Sequence, residues 1–156
     1  MAEKSTIQKD LGVSIRNRIR LDTTILAFNP TVTAQNWIFF GRPKDLAKKL
    51  TTPKIVLEPI DELREPYTVD KKKDILIPYL IHAWLDKADS NALASYEIGD
   101  RLKKIVEDLD DDPDSQGIWE AEVASFSVVP EPEQDREIDH TIVRAEIVWR
   151  ENLDVS

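Results

Sequence analysis

The sequence predicts an α+β domain with a mainly antiparallel four-stranded sheet, in the element order α-β-β-α-β-β. Two segments repeat apolar residues every three or four positions, as the buried side of a helix does. Four other segments are rich in β-branched and aromatic residues, and the last two alternate apolar with charged residues, as half-buried strands do. Because paired strands are interrupted by one helix, we expect antiparallel neighbours.

The first of two principal helices is predicted at residues 5–21. Ser5 and Gln8 match the capping-box pattern, and apolar residues then return every four positions. The second half of this helix is cationic, with Arg16, Arg18 and Arg20. Residues 31–52, which follow, are predicted to form an irregular, aromatic-rich connection, with about two helical turns at 44–50.

The first two strands are predicted at residues 54–58 and 75–84, on either side of a polar, lysine-rich stretch. The second strand is apolar on both faces, which indicates that both faces are covered. Pro78 donates no ladder hydrogen bond, so it predicts an edge position or a bulge. Asp89 or Ser90 is then expected to cap the second helix, which ends at the acidic run 108–114.

Two long strands are predicted around residues 119–123 and 143–149. Residues 130–135, with the sequence PEPEQD, are predicted to form the hairpin tip between them. The length of 156 residues fits a single domain. Within it we expect residues 1–53 to form an N-terminal helix and connecting arm, and residues 54–156 to form the α+β body.

The charge is unevenly distributed along the chain. With 21 basic and 30 acidic residues the net charge is −9, which argues against a general nucleic-acid-binding protein. Residues 1–53 carry 9 basic and 4 acidic side chains, whereas residues 54–156 carry 12 and 26. A cationic arm on an acidic body favours binding to other proteins. With no apolar stretch of membrane-spanning length, we expect a soluble protein of the cell interior without a membrane partner.

Several kinds of chemistry have no supporting motif. Cysteine is absent, and the four glycines lie too far apart to form a phosphate-binding loop. His82 and His140 both fall in predicted strands, so they could meet in the sheet and bind a metal with Asp86 or Asp139. The alternative, which the pattern favours, is two ordinary strand histidines. No catalytic residue, cofactor or metal site is therefore predicted.

The order of the predicted elements and the character of three stretches of sequence resemble those of a viral protein family. The stretches PKIVLEPIDE, DILIPYLIHAWLDKADSNALASYEIGDRLKKIVEDL and HTIVRAEIVWRE are similar to small tail-terminator or tail-completion proteins at the head-tail junction of long-tailed double-stranded DNA viruses. The resemblance implies a subunit that forms a ring, typically a hexamer, on the end of the tail tube. Such a ring stops tube polymerisation and docks to the head connector protein, while DNA passes through its central hole. It implies no catalytic residues, and a place in the virion after assembly in the host cytoplasm.

A candidate interaction surface follows from this resemblance and from the aromatic patch. The helix, the lysine-rich turn and the hairpin tip correspond to the parts that make contacts in such rings, while the aromatic patch could instead fill the domain's own core. The residues are Arg16, Arg18, Arg20, Trp37, Phe39, Phe40, Lys71, Lys72, Lys73, Glu131, Glu133 and Arg136. One alternative is a head-closure or neck adaptor of the same particle. Another is a small α+β enzyme or ligand-binding domain that uses His82, His140 and nearby carboxylates.

Overall fold

The computed structural model describes residues 4–43, 52–61, 66–69, 71–88, 93–110, 117–133 and 136–152. These residues form three α-helices, one short 3₁₀ turn at Ala34–Asn36 and six strands. The helices are α1 (Lys4–Leu21), α2 (Thr23–Leu26) and α3 (Ala94–Glu107). The strands are β1 (Ile38–Phe40), β2 (Lys54–Pro59), β3 (Tyr67–Val69), β4 (Lys72–Asp86), β5 (Ile118–Glu133) and β6 (Arg136–Asn152).

The strands form one mixed sheet in the order β1-β2-β4-β6-β5, and β3 pairs with the start of β4. β1 runs parallel to β2, and every other pair is antiparallel. The α+β class is therefore confirmed. The expected four-stranded sheet is wrong for the described residues, because β1 and β3 add two strands of three residues each. Strands this short contain too few positions to show an alternating pattern.

The two longest ladders of the sheet meet at β6. Lys72–Asp86 of β4 pairs with β6 without interruption, and β5 pairs with the other side of β6 with two register shifts. The expected hairpin tip at residues 130–135 is too wide, because β5 continues to Glu133 and β6 begins at Arg136.

Pro78 causes no bulge, but it occupies a local edge position, because among the described residues neither β2 nor β3 pairs with β4 at this residue. β4 is internal, and its ladder with β6 continues through Pro78 opposite Glu146. The ladder between β4 and β2 ends at Tyr79, one residue short of Pro78. The Pro78 carbonyl accepts a hydrogen bond from the amide of Ile60 (3.1 Å). The N and C=O of a strand residue point to the same side. The missing N–H of Pro78 therefore faces the end of β2, where no strand hydrogen bond is lost.

All three helices pack on one face of the sheet, which we call the helix face. α1 buries the predicted stripe of isoleucine and leucine residues there against β1, β2 and β4, and α3 buries a second stripe against β4, β5 and β6. Two glycines let the helices approach aromatic rings closely. A Cβ atom on Gly12 would lie 2.3 Å from the Phe40 ring, and one on Gly99 would lie 1.8 Å from the Phe126 ring.

The predicted aromatic-rich connection is more ordered than expected. It contains β1, whose Ile38 and Phe40 face the core while Phe39 points to the other side of the sheet. Trp37 is only 2% exposed and belongs to the core as well. The expected helical turns at residues 44–50 and the expected cap at residue 89 or 90 lie outside the described residues. Within the described part of the chain, no helix is long and apolar enough to cross a membrane.

Candidate functional site

The face of the sheet opposite the helices, which we call the outer face, carries a second, smaller core. Even-numbered residues of β2, β4 and β6 point to this face. Val56, Trp84 and Ile138 are buried there, and Phe39 packs against them. This small core surrounds polar side chains with buried apolar ones. Ionisable groups in such surroundings have shifted pKa values and are candidates for a functional site.

Two histidines meet at the centre of the outer face. β4 and β6 place Trp84 opposite His140 and His82 opposite Ile142, so the two histidines are diagonal neighbours on one face. Their rings lie edge to edge, with His82 Nδ1 2.8 Å from His140 Nε2. The possibility that these histidines approach each other in the sheet, although they are 58 residues apart, is thereby confirmed.

A carboxylate contacts the far nitrogen of each ring. Glu58 of β2 places Oε2 3.1 Å from His82 Nε2, and Glu131 of β5 places Oε1 2.6 Å from His140 Nδ1. The guanidinium of Arg42 pairs with the other oxygen of Glu58. The result is a continuous row of side chains, Glu58-His82-His140-Glu131, that crosses four adjacent strands. We call this row the histidine chain.

The middle of the histidine chain is buried and its ends reach solvent. His82 and His140 are 5% and 7% exposed, whereas Glu131 is exposed. The Trp84 ring stacks on both imidazoles, at centroid distances of 5.3 Å and 4.5 Å. Burial lowers the pKa of His82, the charge of Glu58 opposes this effect and His140 adds to it, and the net direction is down.

The neighbouring carboxylate has a shifted pKa too. Burial raises the pKa of Glu58, but the hydrogen bond from Arg42 and the charge of His82 outweigh burial and hold this pKa below its usual range. Glu58 is therefore ionised at neutral pH. An ionised carboxylate only accepts hydrogen bonds, and this limits where the protons of the chain can lie.

The two carboxylates considered as metal partners, Asp86 and Asp139, do not join the two histidines. Asp139 lies next to His140 in the strand and so points to the helix face, where it accepts a hydrogen bond from Ser95 (3.3 Å). Asp86 is four residues from His82, about 13 Å along a strand, and pairs with Arg136 (4.0 Å). In the described part of the chain, no three histidine or acidic residues are grouped to hold a metal ion.

The predicted interaction residues on α1 and in the aromatic patch do not form one surface. Arg20 donates two hydrogen bonds to the Ile38 carbonyl (2.7 and 3.0 Å), which ties α1 to β1. Arg16 donates to Asn17, and Arg18 is half-buried. Trp37 and Phe40 pack in the core, as in the alternative interpretation of this patch, and Phe39 alone reaches the outer face.

The other predicted interaction residues lie at opposite ends of the sheet. Lys71 has a positive φ of 61° and leads into Lys72 and Lys73, where β4 begins beside the end of β6. Glu131, Glu133 and Arg136 lie at the other end, where β5 passes into β6. Of the predicted interaction residues, Glu131 alone belongs to the histidine chain, where it contacts His140. Glu58, at the other end of the histidine chain, was not predicted, because only the strand register brings it to His82.

No family model matches the chain, and no curated protein is significantly similar to it. The geometry of the sheet is therefore the basis on which a function can be assigned to this chain.

Proposed function

We propose that this chain is a non-enzymatic virion structural protein of the tail-terminator or tail-completion type. In this role it forms a ring, hexameric by the family pattern, at the end of the tail tube. The observation that carries the proposal is the open edge of β5. This strand is 16 residues long, and within the described residues it pairs only with β6. A long edge strand offers unpaired N–H and C=O groups to another chain.

The outer face provides a second reason to expect assembly. Its centre holds the small core around Trp84, and half-buried apolar residues continue along it on β4 and β6. They are Leu76, Leu80, Ile142 and Val148. All three helices lie on the other face of the sheet. The Arg144–Glu146 ion pair lies among these residues. Apolar side chains on a sheet face that no described helix covers are typical of a protein contact site.

The charge distribution suits contacts between copies. The first 53 residues carry 9 basic and 4 acidic side chains, and the remaining residues carry 12 and 26. A cationic helix on one subunit complements an acidic sheet on the next, and such contacts weaken as salt is added. The tail-tube protein and the head connector protein are the further partners in this proposal, with DNA passing nearby and not bound specifically.

Light scattering coupled to size-exclusion chromatography tests self-assembly, and electron microscopy with purified tail tubes tests capping. We expect the purified chain to assemble into rings, and we expect electron micrographs to show these rings on the ends of the tail tubes. Val129→Lys, at a 42% exposed position near the β5 edge, should weaken assembly. Val69→Lys, at a 46% exposed position on β3, is the matched control. A chain that stays monomeric and never caps tubes would contradict the proposal.

A head-closure or neck adaptor is a close alternative within the same particle. The two roles differ in what deletion of the gene causes. Loss of a tail terminator gives overlong tails, whereas loss of a head-closure protein gives tailless heads that leak DNA. Electron microscopy of the lysate separates these outcomes.

The meeting of His82 and His140 favours one candidate of a different class, a small enzyme or ligand-binding domain. Two histidines flanked by two carboxylates can move protons or hold a polar ligand. Thermal-shift screening with metals and metabolites tests this candidate. A ligand present at 100 times its Kd raises the free energy of unfolding by about 2.7 kcal/mol.

A further inference from the structure

The histidine chain has three contacts but too few hydrogens to fill them when both histidines are neutral. A neutral imidazole carries one N–H, and an ionised carboxylate carries none. Two neutral histidines therefore supply two hydrogens. The three contacts, from Glu58 to His82, from His82 to His140 and from His140 to Glu131, need one each.

All three contacts have hydrogen-bond lengths, at 2.6 Å for Glu131, 2.8 Å between the rings and 3.1 Å for Glu58. The longest contact, at Glu58, is the one to which the neutral pair assigns no hydrogen. In the neutral pair His140 Nδ1–H donates to Glu131, and His82 Nδ1–H donates to His140 Nε2. The lone pair of His82 Nε2 then faces the Glu58 carboxylate.

We propose that the histidine chain is a binding site for one proton, which enters at His82 Nε2. The added N–H donates to Glu58 Oε2, so all three contacts become hydrogen bonds. The proton also balances charge. Glu58 and Glu131 carry −2, Arg42 carries +1, and the protonated pair supplies the remaining +1.

Several other charged groups on the outer face contact groups outside the histidine chain. Arg136 pairs with Asp86, Arg144 pairs with Glu146 (3.1 Å), and the buried Lys54 lies with its ammonium 5.9 Å from the Phe39 ring centroid. The groups that face the two imidazoles directly are thus the two carboxylates of the chain, with Arg42 behind Glu58. The carboxylates draw the proton in, and Arg42 together with burial opposes it.

The balance of these effects sets the pH range of binding. Because burial lowers the pKa of His82, the site is empty at neutral pH and takes up its proton below the ordinary histidine value of about 6.5. Only the filled site has a hydrogen bond between β2 and β4 side chains at this point. Mild acid therefore adds one side-chain hydrogen bond between β2 and β4 at Glu58, while the lowered pKa of His82 means that the same protonation reduces the free energy of unfolding of the whole chain.

Nitrogen NMR of the uniformly ¹⁵N-labelled chain tests this proposal directly. The chain has only two histidines, so every imidazole signal comes from this site. We expect Nδ1 of both rings to stay protonated throughout, while Nε2 of His82 gains its proton below pH 6.5. Glu58→Gln should move this midpoint to lower pH, because a carboxamide carries no negative charge. Glu122→Gln, at an exposed position on the same face of β5, should leave it unchanged.

Three results would overturn the proposal. The first is that both rings titrate near 6.5 and ignore Glu58→Gln. The second is that His82 Nε2 never gains a proton while circular dichroism shows the chain still folded. The third is that one equivalent of Zn²⁺ changes both ring spectra at neutral pH, since the facing nitrogens would then be metal ligands.

Discussion

Replacing Gly99 by alanine should change the stability of the chain in a direction that depends on one aromatic ring. Gly99 lies on the buried side of α3, and the Phe126 ring of β5 occupies the space where a side chain would begin. A Cβ atom there would lie 1.8 Å from Phe126 Cε2, far inside van der Waals contact. The ring or the helix must therefore move by more than an ångström.

Two opposing effects set the magnitude. Alanine favours a helix interior over glycine by about 1 kcal/mol. Overpacking costs about 1 to 3 kcal/mol, and so large an overlap belongs at the upper end. We expect Gly99→Ala to lower the free energy of unfolding by about 2 kcal/mol. In the Phe126→Ala background the overlap is gone, so the same substitution should raise it by about 1 kcal/mol.

Urea unfolding of the four chains of this double-mutant cycle measures both values. The coupling between the two sites should be about 3 kcal/mol, well above the few tenths found for distant sites. Asp100→Ala, at the adjacent exposed position on α3, is the control and should change stability by less than about 0.5 kcal/mol. If Gly99→Ala destabilises the chain equally with and without the Phe126 ring, close packing of α3 on β5 is not the reason for this glycine.

Three further substitutions have expected outcomes that denaturant unfolding can check. Tyr79→Phe removes the hydroxyl that donates to the Gln8 carbonyl and should cost about 1 kcal/mol; an unchanged midpoint would mean that this bond between β4 and α1 adds no stability. Ile77→Ala empties a fully buried position and should cost about 2 to 5 kcal/mol; a smaller loss would indicate that the core closes over the gap. Because the pKa of His82 is lower in the folded chain than in the unfolded chain, stability should fall as the pH drops below about 6.5, and His82→Gln should reduce this loss; the opposite slope would contradict the direction of the shift.

The sequence predicts the presence of the long elements, although not the full lengths of β5 and β6, and it misses the short strands β1 and β3, for a physical reason. α1 repeats its apolar residues over 18 positions and β6 alternates over 17, so each pattern is visible several times. β1 has three residues and is held by a parallel ladder to β2, which no local pattern reports. Strand order and the parallel pair depend on contacts between distant segments.

The histidine chain could be predicted only in part. That His82 and His140 are both in strands is visible in the sequence, and their meeting follows if the strands are neighbours. Glu58 and Glu131 could not be assigned to them, because a slip of one residue in the register would turn either carboxylate to the helix face. The register is set by side-chain packing across the whole sheet, so the partners emerge only with the fold.

The central position of β6 has a consequence for how the chain is made. β6 pairs along its length with β4 on one side and with β5 on the other, and its nearest partner in β4, Asp86, precedes Ile138 by 52 residues. During synthesis β4 therefore emerges long before its main partner exists. Until β6 arrives, an apolar strand of 15 residues has an open edge, which is the condition that promotes aggregation. The yield of soluble chain should thus depend on how quickly the ribosome completes the C-terminal hairpin.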